Sequence, residues 1–230
     1  MDCVSLPDSP SRVWVDCHGE PIDLPQVVCN VAGREWIFVF DPACKQSRKF
    51  HFGLFANMAA LGPHVFAYPR HRRIAALFET PLKACYRELP EIERRFPTIY
   101  THQQELINRG PPYVPLLLGM NWMSVWTDAD AAAVLQDHPE KRELVSFMGG
   151  LDHPDEGAYR LRRQAAEFAL QRGNIACFGK GIRTILNKRD ALAPFRFSIA
   201  MENASSNLYF TEKLVDCLLL ETIPIYYGCP

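Results

Sequence analysis

A short polar stretch near the carboxyl end of the chain combines residue types that could hold a phosphate group. Thr211 precedes a mostly apolar run and is followed by Glu212 and Lys213, which is typical of a capped helix start. The N–H groups and the positive dipole end of such a start suit a phosphate. Lys213 adds a formal charge there, and Glu212 could accept hydrogen bonds from ribose hydroxyls. The same pattern is equally typical of an ordinary capped helix with a solvated face.

The elements around this stretch predict one β–α–β unit of a parallel sheet. Residues 195–201 alternate in hydropathy and predict a strand, and residues 202–209 are polar and turn-forming. A helix is predicted over residues 211–220, and a second strand over residues 223–227 ends before Gly228. Loops at the carboxyl ends of parallel strands line the ligand crevice of open α/β sheets. The polar loop is therefore expected to face a ligand.

Residue identities in this unit carry a family resemblance. The unit resembles the signature of the α-1,3/1,4-fucosyltransferases, glycosyltransferase family 10. The matching pieces are Glu202-Asn203, then Tyr209-Phe210-Thr211-Glu212-Lys213, then Ile223-Pro224-Ile225-Tyr226-Tyr227-Gly228. A weaker similarity runs upstream through the second half of the chain, and a fainter one reaches about His71.

The predicted fold class is α/β, with two layers of alternating strands and helices. A stretch rich in Gly and Pro, residues 110–143, reads as the crossing between them. We place the domain boundary between residues 1–140 and 141–230, and the resemblance implies that the first is the acceptor-side domain and the second the donor domain. The resemblance implies the GT-B architecture, in which two Rossmann-like parallel-sheet domains face a cleft. Because residue 230 directly follows a predicted strand, we expect the donor domain to be truncated.

Within the first domain, strands are predicted at residues 36–40 and 74–78, and at 99–101 before a short helix at 103–108. Residues 52–61 form an apolar run that predicts a helix. In the second domain, strands are predicted at 144–148 and 175–178. A helix over residues 155–171 separates them, with Gly173 as its stop signal.

The resemblance implies that the chain transfers L-fucose from GDP-fucose to a hydroxyl of a glycan acceptor, with inversion and without a metal or other cofactor. It places Lys213 on the diphosphate and Glu212 on the ribose, and it lets Tyr209 and Asn203 line the donor pocket. Other interpretations stay open: Lys213 as a surface lysine paired with an acid, Tyr209 as a core aromatic, and Asn203 as a turn residue.

Two further basic residues follow from the resemblance. The family carries an arginine on the helix after the first donor-domain strand, and Arg163 fits best because Leu170 follows it by seven residues. Arg160 and Arg162 are close alternatives. Lys180 lies where the family has Gly followed by a basic residue, although a simple turn explains the same residues.

Glu79 is the candidate general base. It follows a β-rich run, precedes Thr80-Pro81, and should lie at a strand's carboxyl end, where partial burial would raise the pKa of a carboxylate. A solvated acid at a strand end is the alternative interpretation. His102 and Asp41 are runners-up by the same argument, and His71 lies in a basic run typical of a solvated loop.

Composition excludes several classes of protein. The net charge is -1, from 25 basic and 26 acidic residues, so no basic excess points to nucleic acid or to an anionic membrane. The eight cysteines stand singly and favour buried free thiols over a disulfide framework or a zinc site. Neither a signal peptide nor a membrane span is evident, which predicts a soluble, cytoplasmic, bacterial-type protein.

Two other functions remain open at this stage. One keeps the fold and changes the donor to GDP-mannose or another nucleotide-sugar. The other is a truncated module that holds a nucleotide or a glycan without turnover. The acceptor, the linkage and the oligomeric state are not readable from the sequence.

Overall fold

The chain forms two compact units, residues Met1–Leu116 and Leu117–Pro230. The computed structural model describes residues 9–19, 24–46, 48–80, 84–117, 119, 121–123, 125, 128–151 and 157–230. Each unit contains its own sheet and its own hydrophobic clusters. The α/β fold class, predicted from the alternation of strands and helices in the sequence, is confirmed.

A seven-stranded sheet forms the first unit, in the order β2-β3-β1-β4-β5-β6-β7. Strand β2 is antiparallel to β3, and every other pair is parallel. The strands are β1 (Arg12–His18), β2 (Gln26–Val31), β3 (Arg34–Val39), β4 (Phe52–Ala56), β5 (Arg73–Leu77), β6 (Thr98–Thr101) and β7 (Tyr113–Pro115).

Helices in the first unit are short. They are α1 (Pro42–Lys45), α2 (Leu89–Arg95) and α3 (Gln104–Ile107), with 3₁₀ turns at Asn57–Leu61, Pro63–Ala67, Arg70–Arg72 and Ala84–Glu88. The apolar run at 52–61, predicted as a helix, is instead strand β4 followed by a 3₁₀ turn. Asn57, which joins the two pieces, has a φ of 47°, a left-handed conformation that no regular helix contains.

The carboxyl ends of the parallel strands meet along one edge of this sheet. His18 ends β1, Asp41 follows β3, Glu79 follows β5 and His102 follows β6. Strand β1 lies between β3 and β4. Strands β2 and β3 lie on one side of β1, and the chain then crosses to the other side, where β4 to β7 follow in order. The residues at this edge are therefore placed where open α/β sheets bind ligands.

The second unit contains a four-stranded parallel sheet in the order β11-β10-β8-β9. Its strands are β8 (Glu143–Met148), β9 (Ala176–Phe178), β10 (Phe195–Met201) and β11 (Ile223–Tyr227). Its helices are α4 (Asp128–Gln136), α5 (Gly157–Arg172) and α6 (Glu212–Leu219), with a 3₁₀ turn at Lys188–Ala191. The predicted β–α–β unit is present with both strand boundaries as predicted.

Residues 117–140, assigned from sequence to the first domain, lie with the second unit. Helix α4 contacts α6. The backbone N–H of Trp122 donates to the buried carboxylate of Asp216 at 2.8 Å. Contacts between residues that are far apart in the sequence decide which unit a loop belongs to, and amino-acid composition does not predict such contacts.

Cysteine use agrees with the sequence in part. Four free thiols are buried: Cys17, Cys85, Cys177 and Cys217. Cys44 is disulfide-bonded, which departs from the expectation. Among the described helices, none combines the length and hydropathy that a membrane crossing requires.

Candidate functional site

The loop between β10 and α6 is organised around a fully buried carboxylate. Glu202 directly follows β10 and is 0% exposed. Its two oxygens accept hydrogen bonds from the backbone N–H and the hydroxyl of Thr211, both at 2.7 Å. Thr211 in turn accepts from the N–H of Lys213 and caps α6. Glu202 therefore fixes where the helix begins relative to the strand end.

The ammonium group of Lys213 lies over this helix start. Its Nζ is 3.0 Å from Thr211 Oγ1, 3.1 Å from Glu212 Oε1 and 3.2 Å from Glu202 Oε2. The Lys213 side chain is 18% exposed, so part of it reaches the surface of the unit. A phosphate arriving here would meet both the lysine and the helix N–H groups.

Glu212 is ionised in this arrangement. Burial pushes its pKa upward, but the charges of Lys213 and Lys188 outweigh burial and hold the pKa below its usual value. An ionised carboxylate accepts hydrogen bonds only, as binding to ribose hydroxyls requires.

A hydrogen-bonded chain of polar side chains lies beside the loop. The hydroxyl of Tyr209 donates to Asn203 Oδ1 at 2.5 Å, and Asn203 Nδ2 donates to the Tyr159 hydroxyl at 2.9 Å. Tyr209 is 3% exposed, so it is both a core aromatic and a positioning partner of Asn203. Tyr159 belongs to α5 and was not singled out from the sequence.

Helix α5 places Arg162 on a different face from Arg160 and Arg163, which are three residues apart and share one side. Arg162 is 8% exposed, its guanidinium carbon is 5.9 Å from the Tyr159 ring centroid, and a Cβ added at Gly149 would lie 3.3 Å from its Nη2. Burial lowers the pKa of Arg162, while Tyr159 and Glu202 oppose that change. Its Nε is buried and has no acceptor in the described part of the chain.

The other two arginines are placed differently. Arg163, the predicted contact, donates from Nη2 to the Leu151 carbonyl at 3.2 Å, and Arg160 is exposed. Because α5 turns 100° per residue, neighbouring arginines cannot share one face. Of the three, only Arg162 has been placed by the structure beside the Glu202 motif.

The turn after β9 touches the end of β8. Gly179 has a φ of 134°, and a Cβ there would lie 2.4 Å from the Gly149 carbonyl oxygen. Only glycine allows this approach of two backbones. Lys180 follows with an exposed side chain, and its carbonyl accepts from the Leu151 N–H at 2.9 Å. The turn that the sequence offered as an alternative is present, and the Lys180 side chain lies at its surface.

A second buried ion pair braces α6. Lys188 Nζ is 2.7 Å from Asp216 Oδ2 and 3.7 Å from Glu212 Oε1, and Asp216 is 0% exposed. Burial raises the pKa of Asp216 even though Lys188 opposes that change. Sequence reasoning missed Lys188, which lies 28 residues upstream of Asp216.

The predicted base and its runners-up all lie in the first unit. Glu79 is half-buried, its N–H donates to Asn57 Oδ1 at 3.3 Å, and its carbonyl is 3.0 Å from His102 Nε2. His102 is fully buried, and burial lowers its pKa, so its imidazole is held neutral. Asp41 caps α1, and His71 lies in an exposed 3₁₀ turn.

Sequence reasoning missed one charged cluster in the first unit. Asp16 on β1 is bonded by His18 Nε2 at 2.7 Å, Lys45 Nζ at 2.7 Å and the Tyr68 hydroxyl at 2.8 Å. The His18 ring stacks on Phe55 at 4.8 Å. The carboxylate thus fixes an imidazole at the end of β1, as in the pairs that orient histidine for proton transfer.

This cluster predicts a dependence of stability on pH. Burial alone would raise the pKa of Asp16, but hydrogen bonds from His18, Lys45 and Tyr68 lower it to about 2, from 3.8. A lowered folded-state pKa gives stability that is present above pH 4 and lost as the pH falls toward 2. The difference corresponds to about 2 kcal/mol.

Denaturant unfolding of wild type and Asp16→Asn across this range is the check. The variant should be less stable near neutral pH by about 2 kcal/mol, and the gap should close toward pH 2. A gap that stays constant with pH would show that the Asp16 charge contributes nothing through these partners.

Comparisons with known proteins find sequences similar to this chain among fucosyltransferases. No protein-family model matches the chain. The chain is 39% identical over 102 residues to the α-(1,3)-fucosyltransferase FucT of Helicobacter pylori, covering 43% of this chain and 21% of that protein. It is 30% identical over 110 residues to a fucosyltransferase-like protein of Arabidopsis thaliana, covering 46% and 20% respectively. The matches span about a fifth of the length of these relatives.

The resemblance to the fucosyltransferases is confirmed. A crystal structure of an α1,3-fucosyltransferase matches with a TM-score of 0.57 at 13% identity, covering 100% of this chain and 71% of that one. A structure of an α1,3-fucosyltransferase with GDP matches with a TM-score of 0.56 at 15% identity, covering 100% and 72%. At these identities the structural likeness establishes the α/β fold of the fucosyltransferase structures and nothing finer.

Proposed function

We propose that the chain is the nucleotide-sugar-binding and acceptor-side portion of a fucosyltransferase. It would transfer L-fucose from GDP-fucose to a hydroxyl of a glycan acceptor, with inversion. The observation that carries this proposal is the Glu202–Thr211–Lys213 arrangement, which puts the ammonium group of a partly exposed lysine at a capped helix start beside the end of β10. The sequence likeness to fucosyltransferases and the matched structure with GDP support the choice of donor.

In this proposal the diphosphate binds at the start of α6. Lys213 and the free N–H groups of the helix take up the charge that develops as the bond to the sugar breaks. Arg162 supplies the arginine expected on α5, because it is buried and interacts electrostatically with Glu202 and Glu212 of the motif. Arg163 and Lys180 keep their predicted roles as further donor contacts, with weaker geometric support.

Glu212 is proposed to hold the ribose hydroxyls, since it is ionised and lies one residue before Lys213. Asn203 is proposed to face the donor, with its side-chain amide oriented by Tyr209 and Tyr159. No metal is invoked, because the basic side chains and the helix start can stabilise the departing diphosphate.

On the acceptor side, Glu79 is proposed as the base that removes the hydroxyl proton as the new bond forms. Its place after β5, on the ligand-binding edge of the first sheet, supports this role. The Asp16–His18 pair lies on the same edge and is the second candidate for the base.

Donor identity is tested by calorimetry on the full chain with GDP, GDP-fucose, GDP-mannose and UDP. We expect GDP-fucose to bind at least about tenfold more tightly than GDP-mannose, and UDP to bind most weakly. Equal affinity for the two GDP-sugars would favour a different donor. Binding without any transfer to glycan acceptors would favour the non-catalytic module.

A further inference from the structure

A cavity of about 410 Å³ opens on the first unit, at the edge of the sheet opposite to the predicted base Glu79. Ser9, Trp14, Lys49, His51 and Arg72 contribute to its lining. Its volume falls within the range of roughly 300–1,000 Å³ that is typical of small-molecule sites.

The cavity lies at the amino ends of three neighbouring strands. Ser9 precedes β1, His51 directly precedes β4 and Arg72 directly precedes β5, and these strands are adjacent in the sheet. His18 and Glu79 lie at or beyond the carboxyl ends of β1 and β5. With about 3.3 Å per residue, the two edges are about 15–20 Å apart. The cavity is therefore separate from the predicted catalytic edge.

Among the described residues, the lining carries two positive charges and no negative one. Neither Lys49 nor Arg72 pairs with a carboxylate within the described residues, and no Asp or Glu is among the described lining residues. Arg48 adds a third cation nearby, with its guanidinium carbon 3.8 Å from the Trp14 ring centroid. Cations gathered in this way repel one another, and a bound anion removes that repulsion.

The cavity also offers hydrogen-bond donors. His51 Nδ1 accepts from the backbone N–H of Trp14 at 3.0 Å, so the neutral ring carries its proton on Nε2 and remains a donor there. The indole N–H of Trp14, a residue only 1% exposed, has no acceptor in the described part of the chain. Donors without acceptors beside unpaired cations are the features of a site for an oxyanion.

The geometry points to a second ligand site here, one that takes a phosphate or sulfate group, free or carried as a monoester on a small sugar. Lys49 and Arg72 supply the charge and His51 supplies a ring N–H donor. The inference does not rest on the proposed fucosyl transfer, because no residue of the Glu202 motif takes part.

The test uses the full chain, titrated with inorganic phosphate and with inorganic sulfate by calorimetry in low-chloride buffer. Lys49→Gln and Arg72→Gln should each weaken binding by about tenfold, since each removes a charged donor. Arg87→Gln, which removes an exposed arginine of the same unit outside the cavity lining, is the matched control and should leave the affinity unchanged. Glucose 6-phosphate and glucose 6-sulfate then distinguish the two oxyanions, with glucose as the uncharged control.

Location is checked by the indole N–H signals of the four tryptophans in a ¹H–¹⁵N spectrum, with the Trp14 signal assigned from Trp14→Phe. Phosphate should move the Trp14 signal, and glucose should not. Three results would overturn the inference: no binding up to about 20 mM anion, far weaker than a millimolar site; equal weakening by Arg87→Gln and Arg72→Gln; or binding that moves other indole signals and leaves Trp14 unchanged.

Discussion

Lys213→Ala is expected to weaken GDP binding by about 30- to 100-fold, which corresponds to about 2–3 kcal/mol for a partly buried charged contact. The lysine Nζ lies among two carboxylates and a hydroxyl, and a diphosphate at this helix start would be a further acceptor for its charged N–H groups. Calorimetric titration of wild type and variant with GDP measures the change directly.

The same substitution should also lower stability. Glu202 is 0% exposed, and Lys213 balances its negative charge together with the two hydrogen bonds from Thr211. We expect a loss of about 1–3 kcal/mol in the free energy of unfolding. GDP titrations should therefore be run well below the melting temperature of the variant.

Lys141→Ala is the matched control. Lys141 Nζ donates to the Ala193 and Leu220 carbonyls and to Thr222 Oγ1, at the carboxyl end of the same helix α6. Its loss should destabilise the unit, because buried carbonyls lose their donor, but it should leave GDP affinity unchanged. If the two alanine variants weaken GDP binding equally, the loss reflects the packing of α6, and the phosphate site at its start is wrong.

The β–α–β unit could be predicted closely because its signals are local. Alternation sets β10, the threonine cap sets the start of α6, and both strand boundaries agree with the structure. The sequence could not show that the buried Glu202 carboxylate accepts the hydrogen bonds from Thr211 that link the cap of α6 to the end of β10. That role depends on the position of the helix relative to the strand, and spacing alone does not fix it.

Helix α5 shows how hydropathy can mislead. Its buried positions are Arg162, Ala166 and Ala169, at the i, i+4, i+7 spacing of one helix face. Leu161 and Leu170 are 39% and 46% exposed, so the large apolar residues point away from the core. The resemblance selected Arg163 by its spacing from Leu170, and that choice stays a prediction; the spacing of the small residues identifies Arg162 as the arginine on the buried face.

The Asp16 cluster lay beyond sequence reasoning for another reason. Its partners come from three separate places in the chain: His18 beside it, Lys45 in α1 and Tyr68 after a 3₁₀ turn. Strand β1 is itself buried on both faces along most of its length, so it lacks the clear alternation that marks a half-exposed strand. Only the order of strands in the sheet brings these groups to one edge.

Glu79→Gln is expected to reduce fucosyl transfer by about 10²- to 10⁴-fold while leaving GDP-fucose affinity unchanged, the range that loss of a general base produces. The substitution should preserve the fold, because the contacts of Glu79 with Asn57 and His102 use its backbone N–H and carbonyl. Within the described residues, no side chain donates to its carboxylate, so glutamine leaves no broken pair. Glu105→Gln, an exposed acid on α3 of the same unit, is the control and should retain wild-type transfer.

The Asp16–His18 pair is the alternative base, and variants of it can be compared with Glu79→Gln. If Glu79→Gln turns over near the wild-type rate with donor binding intact, Glu79 is not the base, and His18→Gln should then show the loss instead. His18 is held by Asp16 at 2.7 Å, so a base at His18 would also be impaired by Asp16→Asn, whereas a base at Glu79 would not. The transfer rate and the GDP-fucose affinity of the four variants together show whether Glu79 or His18 removes the proton of the acceptor hydroxyl. A loss of affinity in place of rate would show instead that the residue binds substrate and does not move the proton.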